Sequence, residues 1–294
     1  MTASSKTSKT SKTILLLGSS GFIGQQVRLR LAAAGGLLRL PQRQQIDFTN
    51  LDMSSIASLL QGVDVIINMV GIMSQNNTLL EQVHHHAPRQ IAALAKQAGV
   101  SHWINLSALG AAASHKVAFV GSKGRGDAAL GQLADDNFQV SVVRPSLVFG
   151  RGGASCELFI KLARLPVLAM PKAGGYSIQP VHVDDVAQGL TNLALGSAFN
   201  AAATTIPFTG AEVCTVAQYI RMLRQNIYQQ RTLTVLSVPM NVAKVGVTIL
   251  SCCTDNMISL DSLTLLTEGS IASNQKFTEL LGRSPLGYQS FINR

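Results

Sequence analysis

From residue 14 onward, short continuous apolar runs alternate with apolar positions at helical spacing. Residues 14–17 are Ile-Leu-Leu-Leu and read as a first strand. Phe22, Ile23, Val27 and Leu31 then recur with helical period, predicting a helix over 22–34 that stops at Gly35-Gly36. Strands are expected over 37–40 and, shorter, over 45–48, followed by a helix over 53–60 with Asp52 or Ser54 as its N-cap. Residues 63–70 form a mostly apolar strand interrupted by Asp64 and Asn68 and bounded by Gly62 and Gly71. The pattern continues with a helix over 88–98 closed by Gly99, a strand over 102–106 and a helix over 123–133. A strand over 140–143 and a helix over 186–195 behind Asp184-Asp185 complete it. Strands that are apolar along most of their length are those covered on both faces, so the fold class is α/β, a Rossmann-type doubly wound parallel sheet.

Beyond residue 200 the texture changes. Residues 216–227 are amphipathic, and 233–266 are apolar with polar interruptions. The expectation is one domain over 14–294, with a smaller C-terminal cap on the substrate or partner side, contributed mainly by 151–180 and 205–294.

The turn between the first strand and the first helix carries the strongest chemical signal. It runs Gly18-Ser19-Ser20-Gly21-Phe22-Ile23-Gly24. Glycines there let the backbone turn tightly and approach a pyrophosphate, whose charge is held by helix N-terminal amides. The expected ligand is therefore a nicotinamide dinucleotide. An acidic residue at the end of the second strand would bond a ribose 2′-hydroxyl, and an Arg would pair with a 2′-phosphate. No Asp or Glu lies between residues 14 and 45, whereas Arg39 and Arg43 do. The absent carboxylate favours NADP(H) over NAD(H); for either Arg alone, a solvated surface side chain is an equal reading.

Composition narrows the picture. Hydrophobic residues make up 47% and charged residues 13%, which excludes global disorder and permits a large core. The net charge of +9 suits an anionic ligand or an anionic membrane surface. No run of Lys/Arg interleaved with aromatics occurs and aromatics are 5%, so nucleic acid is not an expected partner. Cys156, Cys214, Cys252 and Cys253 form no CxxC pair and read as reduced, mostly buried thiols. Residues 1–13 form a polar Ser/Thr/Lys tail with a KTS repeat, expected to be disordered. With 14–17 the tail imitates a secretory signal, but the apolar stretch is too short and runs straight into the glycine turn. An organellar presequence is weakly supported, since the tail has no Arg. No segment has the length of a membrane span; residues 238–250 come nearest but contain Asn241 and Lys244.

In chain order, GSSGFIG, VDVIINMVGI, AALAKQAGVSHWINLSALGA, SKGRGDAAL, VVRPSLVFG and QPVHVDDVA resemble the extended short-chain dehydrogenase/reductases. More narrowly they resemble the atypical, NAD-dependent epimerase/dehydratase-like branch that contains the nucleotide-binding accessory subunit of respiratory complex I and its bacterial relatives. The resemblance covers about residues 14–230. It implies that Asp47 and Phe48 lie beside the adenine and that Met69, Val70 and Gly71 line the cofactor trough. It gives Ser107 the place of the active-site Ser/Thr and Lys123 that of the Lys in the Tyr-x-x-x-Lys motif. Arg144, Pro145 and Ser146 would border the nicotinamide, with Val148 beyond.

One position departs from the family. Four residues before Lys123, where the family has its proton-donating Tyr, stands Phe119. A phenyl ring has nothing to ionise, which leaves ordinary oxidoreductase or epimerase turnover open to question, while Lys123 can still hold the nicotinamide ribose. No downstream Tyr fills the gap, because Tyr176 has no motif to place it.

Other clusters read as structural. Consecutive helical side chains point in different directions, so His84-His85-His86 is expected to be a helix-start segment near the substrate pocket rather than a metal site, and no metal is expected. Asp184-Asp185 is expected to cap a helix, and His102 and His115 have no evident partners. The resulting expectation is an NADP(H)-binding protein without ordinary dehydrogenase turnover. It would act as an accessory or assembly factor for a membrane redox system, complex I or the quinone pathway. The place expected is the cytoplasm, with peripheral attachment at the inner membrane, or the mitochondrial matrix in a eukaryote. The alternative is an active NADP-dependent oxidoreductase or isomerase on a small hydrophobic substrate; an RNA-binding role ranks below both.

Overall fold

A computed structural model of the chain describes residues 12–196, 201–251 and 259–292. β1 (Thr13–Leu17) is followed by α1 (Phe22–Ala33), β2 (Leu37–Arg39), α2 (Met53–Leu60) and β3 (Val65–Asn68). A long interrupted helix comes next: α3 (Asn77–Glu81), a π-helical turn at Gln82–His86, and α4 (Ala87–Gln97). β4 (His102–Leu106), α5 (Ala118–Gly131), β5 (Gln139–Pro145) and β6 (Val148–Phe149) complete the first half. The second half runs α6 (Ala154–Arg164), β7 (Val167–Pro171), β8 (Ser177–Ile178), β9 (Val181–His182) and α7 (Val183–Leu195). It continues with β10 (Ala203–Phe208), β11 (Cys214–Thr215), α8 (Val216–Tyr228) and β12 (Thr234–Val238). The last helices are α9 (Met240–Ser251), α10 (Leu260–Glu268) and α11 (Gln275–Leu281).

Six strands form one parallel sheet in the order β10-β5-β4-β3-β1-β2. Its strands alternate between two cores. Ile14, Leu16, Val65, Ile67 and Ile104 meet α1, α7 and α11 on one face. Leu15, Leu17, Ile66, Trp103 and Val142 meet α2 and α4 on the other. That two-sided burial is the physical reason the strands read as unbroken apolar runs. A third core, around Phe149, Phe159, Ile178, Tyr219 and Phe291, packs α6 and α8 over the short ribbons β7-β12 and β8-β11. Arg224, buried at 4% exposure, ties it together by donating to the carbonyls of Ala163, Arg164, Leu165 and Thr232.

Several local expectations need correction. Residues 45–48 are not a strand. Gln45 and Ile46 donate back to the Gln42 carbonyl, and Asp47 closes a side-chain turn onto Thr49. Ile46 and Phe48 are buried, so their alternation marks burial without pairing. The three histidines are not a helix start but the wide turn inside a continuous helical stretch. Asp184 and Asp185 do not cap α7: His182 accepts the Asp184 amide, while Asp185 accepts from Arg283 and from the Leu286 amide. His102 bonds Ser141, and His115 bonds Glu268. Asp52, not Ser54, caps α2, and Thr13 belongs to β1 rather than to the tail. Residues 1–11 of the tail lie outside the described residues, as do Cys252 and Cys253; Cys156 and Cys214 are buried, free thiols.

Candidate functional site

β1 delivers the chain to Gly18, whose φ of +80° is a conformation that L side chains rarely adopt. The Gly21 amide closes the turn onto the Gly18 carbonyl at 3.1 Å, and the first intrahelical bond of α1 is made by Gln25 to Gly21. The amides of Phe22, Ile23 and Gly24 therefore precede the helix's own bonding, and no side chain caps them. Gly24 packs so close that a Cβ would stand 2.1 Å from the Gly18 carbonyl oxygen. At Gly21 a Cβ would come within 3.3 Å of that oxygen, but the residue is exposed on its other side, like Ser20. This is a cradle of backbone donors at the positive end of a helix, and it fits a pyrophosphate. Ile23 turns into the sheet core, and the ring of Phe22 fills the space left by Gly150 and Gly153.

At the neighbouring strand end, Met69 donates to the Leu17 carbonyl and packs against the core. The Val70 amide is held by the Asn68 side chain. Gly71 leaves a gap: a Cβ there would lie 3.5 Å from Lys123 Nζ and 3.7 Å from His84 Nε2. Met69, Val70 and Gly71 thus run from the turn to Lys123.

α5 begins at Ala118, earlier than the sequence pattern predicts, so Phe119, Lys123 and Asp127 stand at successive i+4 positions on one helix face. Lys123 donates to the Leu106 carbonyl at 3.1 Å, with its ammonium 5.5 Å from the centre of the Phe119 ring. Burial lowers its pKa to about 8, against an opposing pull from Asp127. Ser107, at the end of β4, donates its hydroxyl to Asp127 at 2.7 Å. Arg144 on β5 pairs with the same carboxylate oxygen through Nε at 3.0 Å and Nη2 at 2.9 Å. Burial pushes the Asp127 carboxyl above its ordinary value even so. Asn68 and Asn105 extend the network, linking Val70 to Asp127.

A second buried chain fixes the far wall. The Ile72 amide donates to His84 Nε2, so the ring proton resides on Nδ1 and is given to Ser122 Oγ, which donates in turn to the Phe119 carbonyl. Burial, with Lys123 nearby, lowers the His84 pKa to about 3, and the imidazole stays neutral. Its ring meets Phe119 edge-on at 5.4 Å.

The remaining expected residues are placed differently. Arg39 donates through one guanidinium nitrogen, Nη1, to the carbonyls of Leu59 and Gln61 at the end of α2. Arg43 is exposed, with its charge felt by Asp47. Asp47 spends its carboxylate on Thr49, and Phe48 is buried under the loop, its carbonyl accepting from Gln82. Arg144 points to Asp127 rather than along the trough; Ser146 donates to the Gln179 carbonyl, the Pro145 carbonyl holds Leu109, and Val148 pairs with Val181. Sequence reasoning missed Asp127, though its spacing from Lys123 was a signal, and it missed the His84–Ser122 pair. It also missed Glu81, His85 and His86, whose ligand atoms the π-helical turn brings within 4.8 Å of one another. Arg125 already holds that Glu81 carboxylate. A groove of ≈ 370 Å³ behind α5 includes Asp127 and Arg144 but no residue of the glycine turn.

No family model matches the chain. In sequence it is similar to the mitochondrial NADH dehydrogenase [ubiquinone] 1 alpha subcomplex subunit 9. For the rat protein the identity is 27% over 215 residues, covering 66% of this chain and 56% of the relative. For the Arabidopsis thaliana protein it is 24% over 198 residues, covering 60% and 48%. The chain thus spans about half the length of these relatives. Among solved structures it is similar to human epimerase family protein SDR39U1 with NADPH (TM-score 0.71, 17% identity, covering 95% of this chain and 97% of that one). It is likewise similar to dTDP-4-dehydrorhamnose reductase from Bacillus anthracis with NADP (TM-score 0.71, 14% identity, 97% and 98%). A third, MoeE5 with UDP-glucose and NAD, gives a TM-score of 0.70 at 14% identity, covering 96% of each chain. The chain therefore has the Rossmann-type fold of these short-chain dehydrogenase-like structures, and in sequence it resembles the complex I alpha subcomplex subunit 9.

Proposed function

We propose that the chain holds NADP(H) without ordinary dehydrogenase turnover and serves as an accessory or assembly component of a membrane redox system such as complex I. One observation carries the reading: the glycine cradle is intact, yet Phe119 faces Lys123 where a proton donor would stand. Bound nicotinamide would supply hydride chemistry. This chain's residues would hold the pyrophosphate on the Phe22–Gly24 amides and the nicotinamide ribose on Lys123. Ser107 gives its proton to Asp127, so the hydroxyl that would polarise a carbonyl is already engaged. Arg43, exposed beyond the end of β2, is the cation that would meet a 2′-phosphate, with Nε and Nη2 of Arg39 as the alternative donors. Similarity to the complex I subunit supports the membrane redox setting, and the same chemistry makes the quinone pathway the related alternative.

The second reading, an active NADP-dependent reductase or isomerase, draws on one feature: Lys123, with its pKa near 8, could itself move a proton. Two experiments test the proposal. The chain purified without added nucleotide should yield NADP(H) by mass analysis, and the tagged chain should comigrate on native gels with an NADH dehydrogenase assembly. A nucleotide-free chain that migrates alone would overturn it.

A further inference from the structure

Among the described residues, five exposed large apolar side chains fall on β7, β12 and α9: Val167, Leu236, Val242, Val245 and Ile249. β7 and β12 pair in register, Val167 with Thr234 and Ala169 with Leu236. Alternation along a strand sends Leu168 into the core and leaves Val167 and Leu236 on the outer face, 49% and 50% exposed. α9 packs beside this ribbon through half-buried Ala243, Gly246 and Val247. It presents Val242, Val245 and Ile249 outward, at 56%, 61% and 64% exposure. Those three fall at i, i+3 and i+7, one stripe of the helix.

Charge decides what covers this face. Residues 158–183 and 213–254 contain no Asp or Glu, and together they hold seven Lys/Arg of a chain whose net charge is +9. Arg224 is buried, but Lys161, Arg164, Lys172, Arg231 and Lys244 are exposed. Arg164 and Arg231 stand where β7 and β12 begin, Lys172 follows the end of β7, and Lys244 lies on the flank of α9. Among the described residues Asp261, at the start of α10, borders the face; Asp255 lies outside them. Protein interfaces are depleted in Lys, whereas an apolar helix stripe with Lys/Arg around it matches the boundary of an anionic membrane.

We infer that the β7–β12–α9 face docks on the surface of an anionic lipid bilayer. Val242, Val245 and Ile249 enter the headgroup boundary, and the surrounding cations meet lipid phosphates. No helix of the described residues is long and apolar enough to cross a membrane. The inference rests on the reading of the chain as a component of a membrane redox system.

The test is flotation of the full chain with vesicles of phosphatidylcholine alone and of phosphatidylcholine mixed with phosphatidylglycerol. The chain should float with the anionic vesicles and far less with the neutral ones. Val245→Asp/Ile249→Asp should lower the bound fraction about tenfold, as should Arg231→Glu/Lys244→Glu. Both variants should keep the NADPH-induced rise in Tm, which shows that they fold. Three results would overturn docking: no flotation with anionic vesicles, equal flotation of the Asp variant, or a concentration-dependent dimer that the Asp variant abolishes. The last would assign the face to a second copy of the chain. Because vesicles contain neither cofactor nor complex, flotation without comigration on native gels defeats the accessory reading alone. Comigration without flotation defeats docking alone.

Discussion

The two ends of the cofactor trough are built on opposite principles. At the glycine turn, backbone donors are left open: Gly21 and Ser20 are exposed, and the first amides of α1 have no cap. At the Lys123 end the polar groups satisfy one another. Ser107, Arg144 and Asn105 converge on Asp127, His84 and Ser122 are paired, and a phenyl ring stands against the ammonium. Open donors await a ligand, whereas a closed network of buried bonds holds structure. On the function proposed here, the difference separates binding from proton transfer: one end would keep what a dinucleotide needs, and the other has its polar groups bonded to one another.

The comparison breaks most visibly at the glycines. Gly24→Ala places a Cβ against the Gly18 carbonyl oxygen and should destabilise the fold by about 3 kcal/mol, read as a lowered denaturant midpoint. Gly21→Val has room on its solvent side and should fold, yet NADPH should no longer raise its Tm. In the parent that rise corresponds to about 2.7 kcal/mol at a hundredfold excess over Kd. Equal ligand-induced shifts in Gly21→Val and the parent would show that the turn is not the nucleotide site.

Acid probes the buried imidazoles, His84 at the closed end and His102 at the start of β4, the opposite end of the strand. His84 and His102 have folded pKa values lowered to about 3 and about 4 by burial. Below the unfolded value near 6.5 the unfolded chain binds protons that the folded chain does not, so stability falls as the pH drops from about 6.5 toward 4. Each ring should contribute a loss on the order of 2–3 kcal/mol by pH 4. Chemical denaturation between pH 7 and 4 measures the slope, and His102→Asn should remove its share. A flat profile would mean that neither imidazole is buried neutral.

Lys123 sharpens the contrast between stability and binding. Its folded pKa lies below the unfolded one, so burying the ammonium at neutral pH costs stability. Lys123→Met should therefore keep or raise Tm while weakening NADPH binding about tenfold, as for a charged group retained for a ligand. A lower Tm with unchanged affinity would make Lys123 a structural residue. The smallest effect is expected at Arg43: Arg43→Ala should narrow the preference for NADPH over NADH by roughly 1 kcal/mol, about fivefold, measured by calorimetry. An unchanged ratio would remove Arg43 from the 2′-phosphate site.

What could be read from the sequence was what is local. β1, the turn and α1 are adjacent in the chain, and glycine spacing, apolar period and helix stop all fall within a few residues, so both fold and cradle were legible there. The α5 network was not, because Asp127 takes its meaning from Ser107 on β4 and Arg144 on β5, which only the sheet brings together. Ile46 and Phe48 misled for a related reason: burial under a loop produces the same alternation as strand pairing. The π-helical turn has no compositional signature, so the convergence of His85 and His86 with Glu81 was hidden. In β12 and α9 the apolar positions Leu236, Val242, Val245 and Ile249 face outward, where periodicity alone cannot distinguish a core from a docking face.

The central claim is that the trough binds a nicotinamide dinucleotide but lacks a competent proton donor. It is tested most directly by following NADPH absorbance at saturating enzyme-bound cofactor across a panel of hydrophobic ketones and quinones. The account predicts that NADPH raises the Tm of the unaltered chain and that no member of the panel is reduced above background. Steady turnover by the Phe119 form, abolished by Lys123→Ala or Ser107→Ala, would contradict it.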